Sequence, residues 1–221
     1  MNESLPIVVA NLKANKTWDE VASWIDDVAQ TAVSFAGTII FCPSHPFLAA
    51  SFAKISQNGI NLKLGAQDIS RFNQGAYTGE VAASQIADLV KYAIIGHSER
   101  RQNFREDNQT LAQKVANAKL VDIEPVFCIG GAETPIPQNV SIVAYEPVFA
   151  IGTGNPDTSE NVKKVASQIK TKGNFTVIYG GSVSAENIKL FLEKGVIDGV
   201  LVGATNSLDL QKFTQILMAA S

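Results

Sequence analysis

The sequence predicts an α/β fold in which eight parallel strands close into a (β/α)8 barrel surrounded by helices. Three observations predict it. Short apolar runs alternate with longer segments of helical period along the whole chain. No Pro-, Gly- or Ser-rich linker divides it into halves. Its 221 residues are a length that α/β barrels commonly use as one unit, so residues 1–221 are expected to form a single domain.

Strands are expected at residues 7–11, 38–42, 62–66, 92–95, 125–128, 141–145, 176–179 and 199–202. The helices between them carry their own start and stop signals. Thr17-Trp18-Asp19-Glu20 is a capping box, and Val21, Trp24, Ile25 and Val28 then form one apolar stripe. Further helices are expected at 47–57, 84–91, 108–119, 159–172, 184–194 and 208–219, with Gly59, Gly173 and Gly195 standing after three of them. The interval 130–140 fails the pattern, because its two glycines and two prolines leave no room for a full helix. The fifth outer helix is therefore expected to be shortened or missing. Periodicity alone leaves an open sheet as the alternative, but eight short parallel strands favour closure, which brings the carboxyl ends of all strands to one mouth.

Composition excludes several classes of function. With 46% hydrophobic and 18% charged residues the chain can bury a sizeable core. A net charge of -3 without a basic cluster offers nothing to neutralise nucleic-acid phosphates. The adjacent Arg100 and Arg101 read as solvated or salt-bridged surface. No stretch approaches the roughly 18 apolar residues of a membrane span. Cys42 and Cys128 lie in apolar strand runs, which fits buried thiols in a reducing, cytoplasmic setting.

The strand ends supply the candidate chemistry: Asn11 and Lys13 after strand one, Gln67 after three, His97 after four, Glu146 after six, Ser182 after seven and Gly203 after eight. A carboxylate, a histidine and a lysine at one mouth suit general-base catalysis with electrostatic stabilisation of an oxyanion. His45, between Ser44 and Pro46, reads as a turn or capping residue. His97 with Glu99 offers two ligands where a metal site uses three or more, so no metal is expected. Glycine turns at 152–154, 180–182 and 199–203 follow strands six to eight and would expose backbone N–H groups to a phosphate beside a short helix.

Seven motifs in order resemble triosephosphate isomerase along nearly the whole chain. They include Asn11-Leu12-Lys13, Gly75-Ala76-Tyr77-Thr78-Gly79-Glu80, Gly96-His97-Ser98-Glu99-Arg100-Arg101, the run from Ala144 through Glu146 to Gly154, Tyr179-Gly180-Gly181-Ser182-Val183 and Leu201-Val202-Gly203. The resemblance implies a cofactor-free TIM-barrel isomerase that interconverts dihydroxyacetone phosphate and D-glyceraldehyde 3-phosphate through an enediolate. Glu146 would be the base and neutral His97 the electrophile, with Lys13 and Asn11 completing the catalytic set. Gly152, Ser182, Gly203 and Ala204 would grip the phosphate together with Asn11 and Lys13. The run 147–153 resembles a mobile lid whose Ile151 would crowd Glu146 together with Leu201. Ser98, Glu99 and Tyr179 would support site and lid, Ser98 by holding Glu146 while the lid is open. Thr78 would reach into a neighbouring subunit of a homodimer.

Some positions depart from the family. Leu12 replaces a tryptophan, Asp68 an asparagine, Ala204 a glycine and Phe149 the lid tryptophan, while Gly130-Gly131 follow Cys128-Ile129 where a glutamate is usual. Normal chemistry with altered lid kinetics is expected. Two rivals stay open here: a catalytically silent barrel that binds a phosphorylated metabolite, and another phosphate-binding barrel enzyme such as an aldolase.

Overall fold

In a computed structural model that describes residues 5–150 and 155–221, eight parallel strands pair in chain order and the last returns to the first. They are β1 (Ile7–Asn11), β2 (Thr38–Cys42), β3 (Lys63–Ala66), β4 (Tyr92–Ile95), β5 (Glu124–Ile129), β6 (Ile142–Tyr145), β7 (Thr176–Tyr179) and β8 (Gly199–Val202). Closure leaves no sheet edge and disposes of the open-sheet alternative. Alternation along each strand sorts two cores. On β1, Val8 and Ala10 face the helices, while Val9 joins Ile40, Ile94, Val126, Ile178 and Leu201 inside the barrel. Burial on both faces explains why the strands read as unbroken apolar runs.

The helices are α1 (Trp18–Ser34), α2 (Leu48–Gln57), α3 (Ala83–Ile86), α4 (Ser98–Asn103), α5 (Asn108–Lys119), α6 (Ser159–Lys170), α7 (Ile188–Phe191), α8 (Ala204–Ser207) and α9 (Leu210–Ala220). The capping box of α1 forms, with the Glu20 carboxylate accepting the Thr17 N–H at 2.7 Å. All four residues of its apolar stripe are buried. Trp24 stacks on Phe41 with ring centroids 4.5 Å apart, and its indole N–H donates to the Ser207 carbonyl at 2.9 Å. That bond ties the outer ring to α8 at the mouth.

Two expected helices are cut to single turns. In α3 the N–H groups of Leu89 and Val90 both go to the Ile86 carbonyl, so the chain tightens before β4. Ahead of α7 the Ser184 N–H is taken by the Asn187 side chain at 2.8 Å. After it, Leu192 turns extended and a bridge from Glu193 to Ile197 closes around Gly195, whose φ of +81° suits glycine. In the other direction, α4 lies in a stretch where no helix was expected.

Among the described residues no helix stands between β5 and β6. The loop itself does the covering: Val140 is buried, and Ala132 and Ile136 pack against the outer core. Lys172 donates its ammonium to the Ala132 carbonyl. Arg101 covers the same flank. Its guanidinium lies over the Phe127 ring, 5.6 Å from the centroid, and bonds the Gly96 and Cys128 carbonyls at 2.8 and 3.0 Å. The reading of Arg101 as solvated surface is thus corrected, whereas Arg100 is salt-bridged to Asp68 and Glu106. Both cysteines are free and buried, and no helix among the described residues is long and apolar enough to cross a membrane.

Candidate active site

The carboxyl ends of the strands surround a cavity of about 240 Å³ lined by Lys13, His97, Glu146, Ser182, Leu201 and Gly203, among others. Residues as far apart in sequence as Lys13 and Asn206 meet there because a parallel barrel sends every strand end to the same face.

Glu146 follows β6 and is 2% exposed. One carboxylate oxygen accepts the Ser98 backbone N–H at 3.1 Å, and the other lies 3.2 Å from His97 Nε2. Ser98 therefore holds the carboxylate through its amide. Gly180 leaves the space this carboxylate needs, since a Cβ there would stand 2.9 Å from Glu146 Cγ. Burial pushes the Glu146 carboxyl above its ordinary value of 4.5, against the pull of His97, the Ser98 N–H and Lys13. The result is a base stronger than a solvated carboxylate.

His97 caps α4, and Gly96 before it turns the chain with a φ of +76°. The Glu99 N–H donates to His97 Nδ1 at 3.2 Å. A ring nitrogen that accepts a backbone hydrogen carries no proton, so this contact assigns the neutral tautomer with its hydrogen on Nε2, facing Glu146. Glu99 Oε2, 3.7 Å from Nδ1, is too far to bond it. The carboxylate of Glu99 pairs instead with Lys13 Nζ.

Lys13 takes a positive φ of +52°, uncommon for a side-chain-bearing residue. Three bonds hold it there. Its N–H goes to Asn11 Oδ1 at 3.0 Å, and its carbonyl accepts from Gln67 Nε2 at 2.8 Å and Ser44 Oγ at 3.0 Å. Asn11 is buried and shapes this turn, its carbonyl also accepting from Ser207 Oγ at 2.9 Å. Gln67 was picked out by its strand end; Ser44 was not, because it sits in a turn read as bland. Beside Gln67, Asp68 is buried with its carboxylate 2.7 Å from Lys114 and 2.9 Å from Arg100, and Lys114 also meets Glu106 at 2.6 Å. Burial raises the Asp68 carboxyl in spite of both cations, while their hydrogen bonds hold Glu106 below its usual value. These four groups lock the start of the β3 loop to α4 and α5.

On the far side of the cavity, Ser182 Oγ donates to the Ala150 carbonyl at 2.8 Å. Tyr179 OH accepts the Asp157 N–H at 3.0 Å, and burial pushes its phenol up to about 12. Asp157 also accepts from Tyr145 OH at 3.2 Å and Asn161 Nδ2 at 2.7 Å, partners unforeseen from sequence. Leu201 stands beside Glu146 across Gly180. Ala204 opens α8. Ile151 and Gly152 lie outside the described residues. Thr78 is apart from the cavity, on an exposed loop that encloses a separate concavity of about 310 Å³. Asn187, Thr205 and Asn206 line the active cavity unpredicted, Asn187 having been assigned to a helix. No group of three or more His, Cys, Asp or Glu side chains among the described residues is arranged to hold a metal.

The family model for triosephosphate isomerase matches residues 6–139 and 132–220. A triosephosphate isomerase of Mesomycoplasma hyorhinis is 38% identical over 97% of this chain and 98% of its own length. One from Moorella thermoacetica is 33% identical, covering 96% and 97%. The first alignment spans 241 positions, more than the 221 residues of this chain, so the relative carries residues absent here. The two stretches matched by the family model meet at 132–139, within the interval that has no helix.

Proposed function

The chain belongs to the triosephosphate isomerase family, and on that premise we propose which of its residues interconvert dihydroxyacetone phosphate and D-glyceraldehyde 3-phosphate, the isomerisation that serves glycolysis and gluconeogenesis. The observation that carries the assignment is the meeting of Glu146, His97 and Lys13 on one cavity, with carboxylate and imidazole 3.2 Å apart. Glu146 takes a proton from the carbon beside the carbonyl and returns it to the neighbouring carbon, so the carboxylate is regenerated. His97 donates its Nε2 hydrogen to the oxygens on which negative charge develops. Lys13 adds a fixed positive charge, and Asn11 holds Lys13 in its turn. A neutral imidazole suits this task because it stabilises the oxyanion without first protonating it.

Backbone N–H groups at Gly152, Ser182, Gly203 and Ala204 take the phosphate. The run 147–153 closes over the bound substrate, with Ile151 and Leu201 keeping water from Glu146, because an enediol phosphate exposed to water can eliminate phosphate. Tyr179 holds Asp157, which follows that run in the chain, and Glu99 steadies Lys13 and His97. We also read the chain as a cytoplasmic homodimer. Two free buried thiols support the setting. The exposed side chains of Tyr77 and Phe104, on the face that carries Thr78 and on α4's end, support the assembly, with Thr78 reaching the partner's Lys13 loop.

A coupled assay on the purified chain tests the assignment. Isomerase turnover abolished in Glu146→Gln is expected; full turnover in that variant would remove Glu146 from the mechanism. Borohydride trapping with substrate should leave the protein unlabelled, which separates this chemistry from a Schiff-base aldolase.

A further inference from the structure

We infer that Asn206, together with Asn187, is a positioning residue that sets the two halves of the phosphate grip relative to each other. The inference rests on the phosphate reading of the cavity above. Ser182 belongs to the loop after β7, and Gly203 to the loop after β8. A phosphate held by both needs the two loops in fixed register, yet no strand hydrogen bond reaches that far beyond the barrel.

Asn206 supplies the connection. Its own N–H goes to the Gly203 carbonyl at 3.2 Å, which places it in the first turn after β8. Its side-chain Nδ2 crosses to the Val183 carbonyl at 2.6 Å, within the β7 loop. The peptide between Val183 and Ser184 is pinned on its other edge too, because the Ser184 N–H donates to Asn187 Oδ1 at 2.8 Å. Asn187 Nδ2 donates to the Ser182 carbonyl at 2.9 Å. Both carbonyl oxygens of this turn are therefore occupied by amide donors. The consequence is electrostatic: an anion in the cavity is spared two backbone oxygens that would repel it, and the loop cannot rotate its peptide planes without breaking side-chain bonds. Both asparagines line the cavity. Carboxamides suit the role because each offers donor and acceptor without net charge.

The test compares the full chain with Asn206→Asp and Asn206→Ala. Asp keeps the shape, removes the donor and sets a negative charge beside the Val183 carbonyl. KM for glyceraldehyde 3-phosphate and the inhibition constant of inorganic phosphate should both rise about tenfold in Asn206→Asp and about threefold in Asn206→Ala, the loss of one charged-ligand contact's worth of alignment. Proton exchange of glyceraldehyde, which lacks the phosphate, should stay within about twofold of the parent, as expected when only phosphate alignment is lost. The Ala variant carries the test should the Asp variant fail to fold. An unchanged inhibition constant, or a glyceraldehyde rate that falls in step with the phosphorylated substrate, overturns the inference. A parent chain that inorganic phosphate does not inhibit overturns the phosphate reading itself.

Discussion

The β4–α4 flank of the mouth and the β5–β6 flank beside it are built by opposite means. On the first, polar groups are bound to partners distant in sequence: Ser98 to Glu146, Glu99 to Lys13, Arg100 and Lys114 to Asp68. On the second an outer helix is absent, and a loop with three apolar contacts and one overlying arginine covers the strands. The barrel closes equally well on both sides, with β5 and β6 paired in register from Val126–Ile142 to Ile129–Tyr145. Strand pairing and apolar cover are enough to close a barrel. Holding a carboxylate, an imidazole and a lysine in the proposed catalytic geometry takes directional bonds, and these are concentrated on the β4–α4 flank.

The comparison can be broken most severely at Glu146. Replacing it with Gln preserves an acceptor for the Ser98 N–H but removes the base, and kcat should fall by about 10³-fold or more. The parent's pH profile sharpens the same point. Because burial raises this carboxyl, the acid limb of kcat/KM should lie above the ordinary 4.5. The linked stability has a definite sign. Between the unfolded and folded values the native state binds the extra proton, so the contribution of this carboxyl to stability is fully present below 4.5 and is lost as pH rises through the folded value. Chemical denaturation across that window should show this decline in the parent and lose it in Glu146→Gln.

Next in size is the buried quartet. Lys114→Met leaves Asp68 and Glu106 facing each other with one cation fewer, and should destabilise the fold by about 3–5 kcal/mol in urea melts. If melting is unaffected, directional bonds do not distinguish this flank. The smallest effect belongs to the helix-free side. Ile136→Ala should cost about 1 kcal/mol, since the side chain is only partly buried, and should leave kcat unchanged. A large loss of activity would show that the loop does more than cover strands.

Much of this was legible before any coordinates. Short apolar runs located all eight strands and the 3.6-residue period the long helices, and the Gly and Pro content of 130–140 announced the missing helix. The misses share a cause. Helix length at α3 and α7 was decided by competition for backbone groups, Ile86 in one case and Asn187 in the other, which propensity does not register. Arg101 looked like surface because its partners, Gly96 and Cys128, offer only carbonyls, and carbonyls leave no mark in a sequence.

By itself the sequence determined which residue types exist to do chemistry and on which strand ends they stand, because apolar runs and helical periods are local properties of the chain. Tertiary structure alone decided the state those residues adopt. The Nε2 tautomer of His97 comes from the Glu99 amide, the raised basicity of Glu146 from burial, and the strained turn of Lys13 from Gln67, Ser44 and Asn11. Each depends on desolvation and on hydrogen-bond direction, which arise only once distant segments share one space.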